Sequence, residues 1–115
     1  MSKKNNSLFG DLLRGNTDTI LLSILERGDS YGYRINKTLE DESNNLFFLN
    51  EATLYTTFKR LVNEKYITSY WKNEQGSPAR KYYSITEKGK EYLKKNVEEW
   101  LEASKIIKHF IIKKK

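Results

Sequence analysis

The chain has no cysteine and a single histidine, His109, so neither a disulfide framework nor a Cys/His metal site is available to it. The same shortage removes the commonest pairings of nucleophile and base. His109 stands alone in a lysine-rich tail, and the carboxylates fall on helix surfaces without a spaced basic partner. No enzymatic activity, metal or cofactor is expected. Proline occurs once, at Pro78, and no repeat, low-complexity tract or Pro/Ser linker interrupts the chain, which therefore reads as continuous folded structure. Long apolar runs are missing too. Ile20 to Leu25 is of core-helix size, far short of a membrane span, and the polar stretch Met1 to Ser7 is not followed by the apolar segment of a secretion signal. A cytoplasmic protein with no membrane partner is expected.

A length of 115 residues bounds the chain to one compact domain, or to one domain with a long appended element. A core this small buries a modest share of its surface, so burial against a second subunit would be useful. The net charge of +6 is unevenly placed. Residues 1–49 carry six basic and seven acidic groups, residues 50–85 six and three, and residues 86–115 nine and five. Basic excess in the middle and at the end suits a nucleic-acid partner, although it also serves ordinary solubility.

The pattern along the chain is helix, helix, helix, hairpin, long helix. Leu8 to Arg14 reads as a short helix packing Leu8, Phe9, Leu12 and Leu13. Thr17 to Arg27 is a helix apolar on nearly all sides, stopped at Gly28 and Asp29. Ser30 is expected to cap a helix from Tyr31 to Glu42, with Tyr31, Ile35 and Leu39 on one side. After Ser43, Asn44 and Asn45, a connector leads to Asn50, a good N-cap, with Glu51 in the first turn. From there Leu54, Phe58, Leu61 and Val62 form an inward stripe, and Thr53, Thr56, Thr57, Lys59, Arg60 and Asn63 an outward, hydrogen-bonding and positive one. Strands follow at Tyr66 to Trp71 and Lys81 to Ile85, joined by a polar tip containing Gly76 and Pro78. Thr86 reads as the N-cap of a helix reaching Ile112, roughly 40 Å long.

The expected fold is mainly α with a two-stranded β wing: a winged helix-turn-helix over residues 1–85, followed by a C-terminal dimerisation helix and basic tail over 86–115. The third helix must offer short polar and basic side chains to a major groove while its other face holds the core, and residues 50–63 meet both demands. Threonine hydroxyls and the Tyr55 phenol suit phosphates or base edges, and Lys59 and Arg60 supply charge. The DNA-contact residues expected are Asn50, Glu51, Thr53, Tyr55, Thr56, Lys59 and Arg60 on the helix, and Lys72, Gln75, Ser77, Arg80 and Lys81 on the wing. Taken singly, the helix also reads as a solvated amphipathic helix and the wing as an ordinary hairpin. A winged-helix protein-interaction module without DNA binding is the competing reading.

Four motifs carry a family resemblance. They are Leu21-Leu22-x-Ile24-Leu25 with Gly28-Asp29-x-Tyr31-Gly32-Tyr33; Leu49-Asn50-Glu51-Ala52-Thr53-Leu54-Tyr55; Leu61-x-x-Glu64-Lys65-x-Ile67; and Arg80-Lys81-Tyr82-Tyr83-x-Ile85-Thr86-x-x-Gly89. In this order, over residues 13–102, the chain resembles the PadR family of transcriptional regulators, in its short subfamily with one C-terminal helix. The resemblance implies a homodimeric repressor of its own promoter and of a transporter or stress-response gene, with recognition helices about 34–36 Å apart on a pseudo-palindromic operator. It also implies a cavity at the dimer interface where planar aromatic or cationic compounds stack on Trp100 and relieve repression. Leu12, Thr19, Ser23, Glu26, Leu93, Asn96, Val97 and Ser104 would face that cavity. Simple interface packing is the alternative role for Trp100. Independently of the resemblance, Leu93, Val97, Trp100, Leu101, Ile107 and Ile111 form a stripe at helical spacing that a lone helix could not leave in water.

Overall fold

The computed structural model describes residues 7–113; residues 1–6 of the polar N-terminal stretch and Lys114 and Lys115 of the basic tail lie outside the described residues. Its order is α1 (Leu8–Gly15), α2 (Thr17–Arg27), β1 (Ser30–Tyr31), α3 (Gly32–Glu42), α4 (Glu51–Asn63), β2 (Ile67–Lys72), β3 (Arg80–Ile85) and α5 (Glu87–Ile111). This is the mainly helical winged-helix architecture the sequence implies. One core holds it together. Leu21, Leu22 and Leu25 of α2, Ile35 and Leu39 of α3, Leu54, Phe58 and Leu61 of α4, Ile67 and Tyr83 of the sheet, and Leu93 of α5 form a single buried cluster.

Local chemistry sets the helix boundaries. Asn50 caps α4 by accepting from the Thr53 N–H at 2.8 Å, and Thr86 caps α5 by accepting from the Gly89 N–H at 3.0 Å. Each satisfies an amide that would otherwise be unpaired in the first turn. The Thr86 hydroxyl also donates to the Lys65 and Tyr66 carbonyls at the start of β2, which ties α5 to the wing. Gly89 is required at that junction: a Cβ there would overlap the Tyr66 carbonyl oxygen and come within 2.8 Å of Ile85.

Four details differ from the sequence reading. The wing is part of a three-stranded antiparallel sheet in the order β1-β3-β2, because Ser30 and Tyr31 pair with Tyr83 and Tyr82. In consequence Ser30 does not cap α3. It lies in β1 with its hydroxyl accepting from the Arg34 Nε at 3.0 Å, and Tyr31 is the N-cap residue without a side-chain bond. Thr57, expected to point outward, is buried. Its hydroxyl donates to the Thr53 carbonyl at 2.8 Å, which removes the cost of burying a polar group on the core side. Finally, α1 packs only in part, with Leu8 and Leu12 exposed.

The radius of gyration is 16.2 Å with extents of 60 × 36 × 22 Å, against about 13 Å for a compact chain of this length. The excess is α5, whose 25 residues extend about 38 Å. Its N-terminal part packs on α2, where Leu93 is buried and the Asn96 amide donates to the Thr19 hydroxyl at 3.1 Å. Beyond Asn96 the apolar residues Val97, Trp100, Leu101, Ile106, Ile107, Phe110 and Ile111 are all exposed. No helix among the described residues is long and apolar enough to cross a membrane.

Candidate nucleic-acid interface

The placement of α4 begins with its connector. Asn44 and Asn45 both adopt positive φ, a conformation their short polar side chains tolerate, and so turn the chain after α3. The Asn36 side-chain amide then clamps Leu49 from both sides, donating to its carbonyl at 2.6 Å and accepting from its N–H at 2.9 Å. The next residue is the cap Asn50. One α3 side chain therefore sets where α4 starts.

On α4, Leu54, Thr57, Phe58 and Leu61 are the buried face. The directly opposed positions, at helical spacing, are Ala52, Thr56, Lys59 and Asn63, all exposed. Of these, Thr56 and Lys59 are expected contact residues. Ala52 and Asn63 complete the face, Ala52 lacking the polar chemistry that would single it out. The other expected residues flank it on two sides. Asn50, Thr53 and Arg60 border a groove against α1 and α2, while Glu51 and Tyr55 border one against α3.

Arg60 is engaged within the protein. Its guanidinium donates to both oxygens of Asp18 on α2, at 2.6 and 3.0 Å, and to Glu64 at 3.2 Å. The hydrogen bond to Asp18 is the largest cause of a raised Arg60 pKa, burial opposing it and the charges of Asp18 and Glu64 adding to it. The result is a brace between α2 and α4. Among the described residues Lys59 makes no ion pair, so its ammonium is available to an outside anion.

Alternation along the strands divides the wing. Lys72 and Arg80 pair across β2 and β3 and share a face with Tyr70 and Tyr82. On that face Tyr82 stacks on Tyr70 at 5.7 Å and meets Tyr31 edge-on at 5.2 Å. Lys72 lies 5.2 Å over Tyr82, and Arg80 4.6 Å over Tyr31. Two of the three expected wing cations are thus already occupied with aromatic rings. Glu74 accepts from the Tyr82 hydroxyl at 3.1 Å, and Asp29 from that of Tyr70 at 2.7 Å. Burial raises the Tyr82 pKa, helped by Glu74; the bond to Asp29 is the main cause of the rise at Tyr70.

The opposite face turns toward α4. There Tyr83 stacks on Phe58 at 4.1 Å, and Trp71 is paired with Lys81 further along the hairpin. Lys81 shares a groove of about 310 Å³ with Lys59, Tyr55 and Asn63. The tip carrying Gln75 and Ser77 closes with a turn in which the Ser77 N–H donates to the Glu74 carbonyl at 2.9 Å and Gly76 takes φ of 80°. Sequence reasoning did not single out Trp71 and Tyr33, both exposed and lining one groove with Tyr55 and Lys81. The period of two along the wing, counted from the core residue Tyr83, was the signal that could have found Trp71.

A capped helix with an open polar face, braced from α2 and flanked by a hairpin carrying a free lysine, is the layout of a DNA reader. Residues 21–95 match the PadR-like family of transcriptional regulators. The chain belongs to that family. An uncharacterised protein of Lysinibacillus sphaericus is 41% identical to it over 101 residues, covering 88% of this chain and 93% of that one. A transcriptional regulator from Clostridium thermocellum shares 44% identity at a TM-score of 0.79, covering 88% of this chain and 98% of the other. A PadR family transcription regulator from Clostridium difficile shares 38% at 0.73, covering 84% and 98%. Both solved relatives are transcriptional regulators.

The residues expected around a dimer cavity are placed unevenly. Thr19 and Asn96 bond to each other, Leu93 is buried, and Ser23 donates to the Ile20 carbonyl at 2.6 Å. Leu12, Val97 and Trp100 are exposed, Glu26 is exposed on α2, and Ser104 is half-buried.

Proposed function

We propose that this PadR-like regulator is a homodimeric repressor, in which α4 enters the major groove and α5 forms the dimer. The observation that supports it most is the exposed Ala52, Thr56, Lys59 and Asn63 face beside Lys81, on a helix whose start, brace and cap are all fixed. Glu51, Thr53 and Tyr55 flank the bases or phosphates, while Asn50 acts through its cap. The exposed apolar length of α5, with Leu8 and Leu12 of α1, is what a second subunit would cover. Between the subunits, Trp100, Val97 and Leu12 receive planar apolar compounds that favour the DNA-incompetent dimer. The regulated genes are the regulator's own and a neighbouring transporter or stress-response gene.

The test is fluorescence anisotropy of a labelled duplex from the regulator's own upstream region, titrated with protein across a salt series. A repressor of this kind binds it with a log–log salt slope of several units and loses affinity when a planar aromatic effector is added. Absence of salt-dependent binding would leave the fold but remove the function. Quenching of Trp emission by such compounds, abolished in Trp100→Ala, locates the effector.

A further inference from the structure

The wing's inner face carries a feature that phosphate-binding lysines do not explain. Trp71 is 68% exposed, on the same sheet face as the core residue Tyr83. It lines a groove of about 530 Å³ with Tyr33, Tyr55, Arg80 and Lys81. No residue of α1 or α5 borders this groove, so it is not part of the apolar surface left for a second subunit. Nor does any carboxylate border it. Its walls are aromatic and its charge is positive, which disfavours a cationic compound or a basic peptide and suits an anionic chain with apolar faces.

We propose that this groove holds the sugar–phosphate backbone of the DNA strand that flanks the groove read by α4, with the Trp71 indole packed on a deoxyribose and Lys81 on the adjoining phosphate. This rests on the DNA-binding reading above. A duplex backbone alternates anionic phosphates with apolar sugar faces, and the groove combines two cations with aromatic rings. Lys59 lies in the neighbouring concavity that also contains Tyr55 and Lys81, so the groove continues the α4 face. The contact carries no base information; it fixes the register of α4 on the duplex.

Its energetic signature differs from that of a lysine. A cation on a phosphate releases counterions and steepens the salt dependence, whereas an indole on a sugar releases none. Trp71→Ala is therefore expected to weaken binding about tenfold, the scale of one aromatic contact to nucleic acid, with the salt slope unchanged. Trp71→Phe keeps a ring and most of the affinity. The experiment measures both variants and wild type by duplex anisotropy over a salt series, together with tryptophan emission on adding unlabelled duplex. Wild type should show a change of emission that Trp71→Phe lacks. If wild type binds the duplex but Trp71→Ala binds equally well, or if the emission change persists in Trp71→Phe, the inference is overturned and the DNA reading stands. A weakening in Trp71→Ala accompanied by a shallower slope also overturns it, since the indole would then act only by holding Lys81. No binding by wild type at any salt overturns the DNA reading itself.

Discussion

At the scale of single residues, two neighbouring cations on α4 have opposite duties. Arg60 commits its guanidinium to Asp18 and Glu64, and Lys59 points outward without an ion pair among the described residues. Lys59→Ala should leave the melting temperature unchanged and lower the salt slope of duplex binding by about 1, the share of a single lysine–phosphate pair. Arg60→Ala should do the reverse. Half-exposed bidentate pairs contribute up to about 1 kcal/mol, so a lowered melting temperature with an unchanged slope is expected. A double-mutant cycle with Asp18→Asn would show coupling between the two positions. Equal reductions of slope in Lys59→Ala and Arg60→Ala would mean that Arg60 leaves Asp18 when DNA binds.

At the scale of elements, the helices are held by a few side chains at their ends, and each can be cut. Asn36→Ala leaves both the N–H and the carbonyl of Leu49 without their partner in a half-buried turn, a cost of about 1–3 kcal/mol. Urea denaturation should show the destabilisation as a lower midpoint at unchanged m-value. The far ends of α2 and α3 are clasped by Arg27 and Glu42, at 2.8 and 3.0 Å. The hydrogen bond from Arg27 holds the Glu42 carboxyl below its ordinary range. A carboxylate whose pKa is depressed on folding adds stability above its unfolded pKa, and that stability is lost as pH falls through the folded value. Glu42→Gln should therefore melt below wild type at pH 7, with the difference closing below the ordinary glutamate pKa of about 4.3. A difference that stays constant down to pH 3 would show that packing, not charge, is what the substitution removes.

These same elements show what a sequence makes legible. The bounds of α2 and α4 and the caps at Asn50 and Thr86 follow from neighbours within four residues, and the expected and observed positions agree. The strand β1 was hidden because its two residues gain their pairing from Tyr82 and Tyr83, some fifty residues away. Thr57 was misplaced because a hydroxyl bonded to its own helix passes for an apolar group. The brace from Arg60 was hidden because Asp18 lies 42 positions back in the chain. What failed in each case was a long-range partner or a locally satisfied polar group, which periodicity cannot register.

At the scale of the whole molecule, α5 presents an imbalance that one chain cannot resolve. From Val97 to Ile111 seven large apolar side chains are more than 40% exposed, on a helix whose other faces carry lysine and glutamate. Their positions follow helical spacing through Val97, Trp100, Ile107 and Ile111, so they form one continuous strip. Ile106 and Phe110 widen it near the C-terminus, opposite Lys105, Lys108 and His109. A strip of this length in water would drive association, and a second copy offers the same strip together with Leu8 and Leu12 of α1. Ile107→Glu places a carboxylate in the middle of that surface. Burying an unpaired charge costs several kcal/mol, so dimer affinity should fall at least about a hundredfold while the monomer keeps its helical circular dichroism, since Ile107 packs on nothing in its own core. Sedimentation equilibrium would report the change directly. Wild-type melting temperature should also rise with protein concentration, and that dependence should vanish in the variant over the same range. An Ile107→Glu protein that sediments as wild type would place the dimer contact elsewhere on the chain and leave the strip on α5 to another partner.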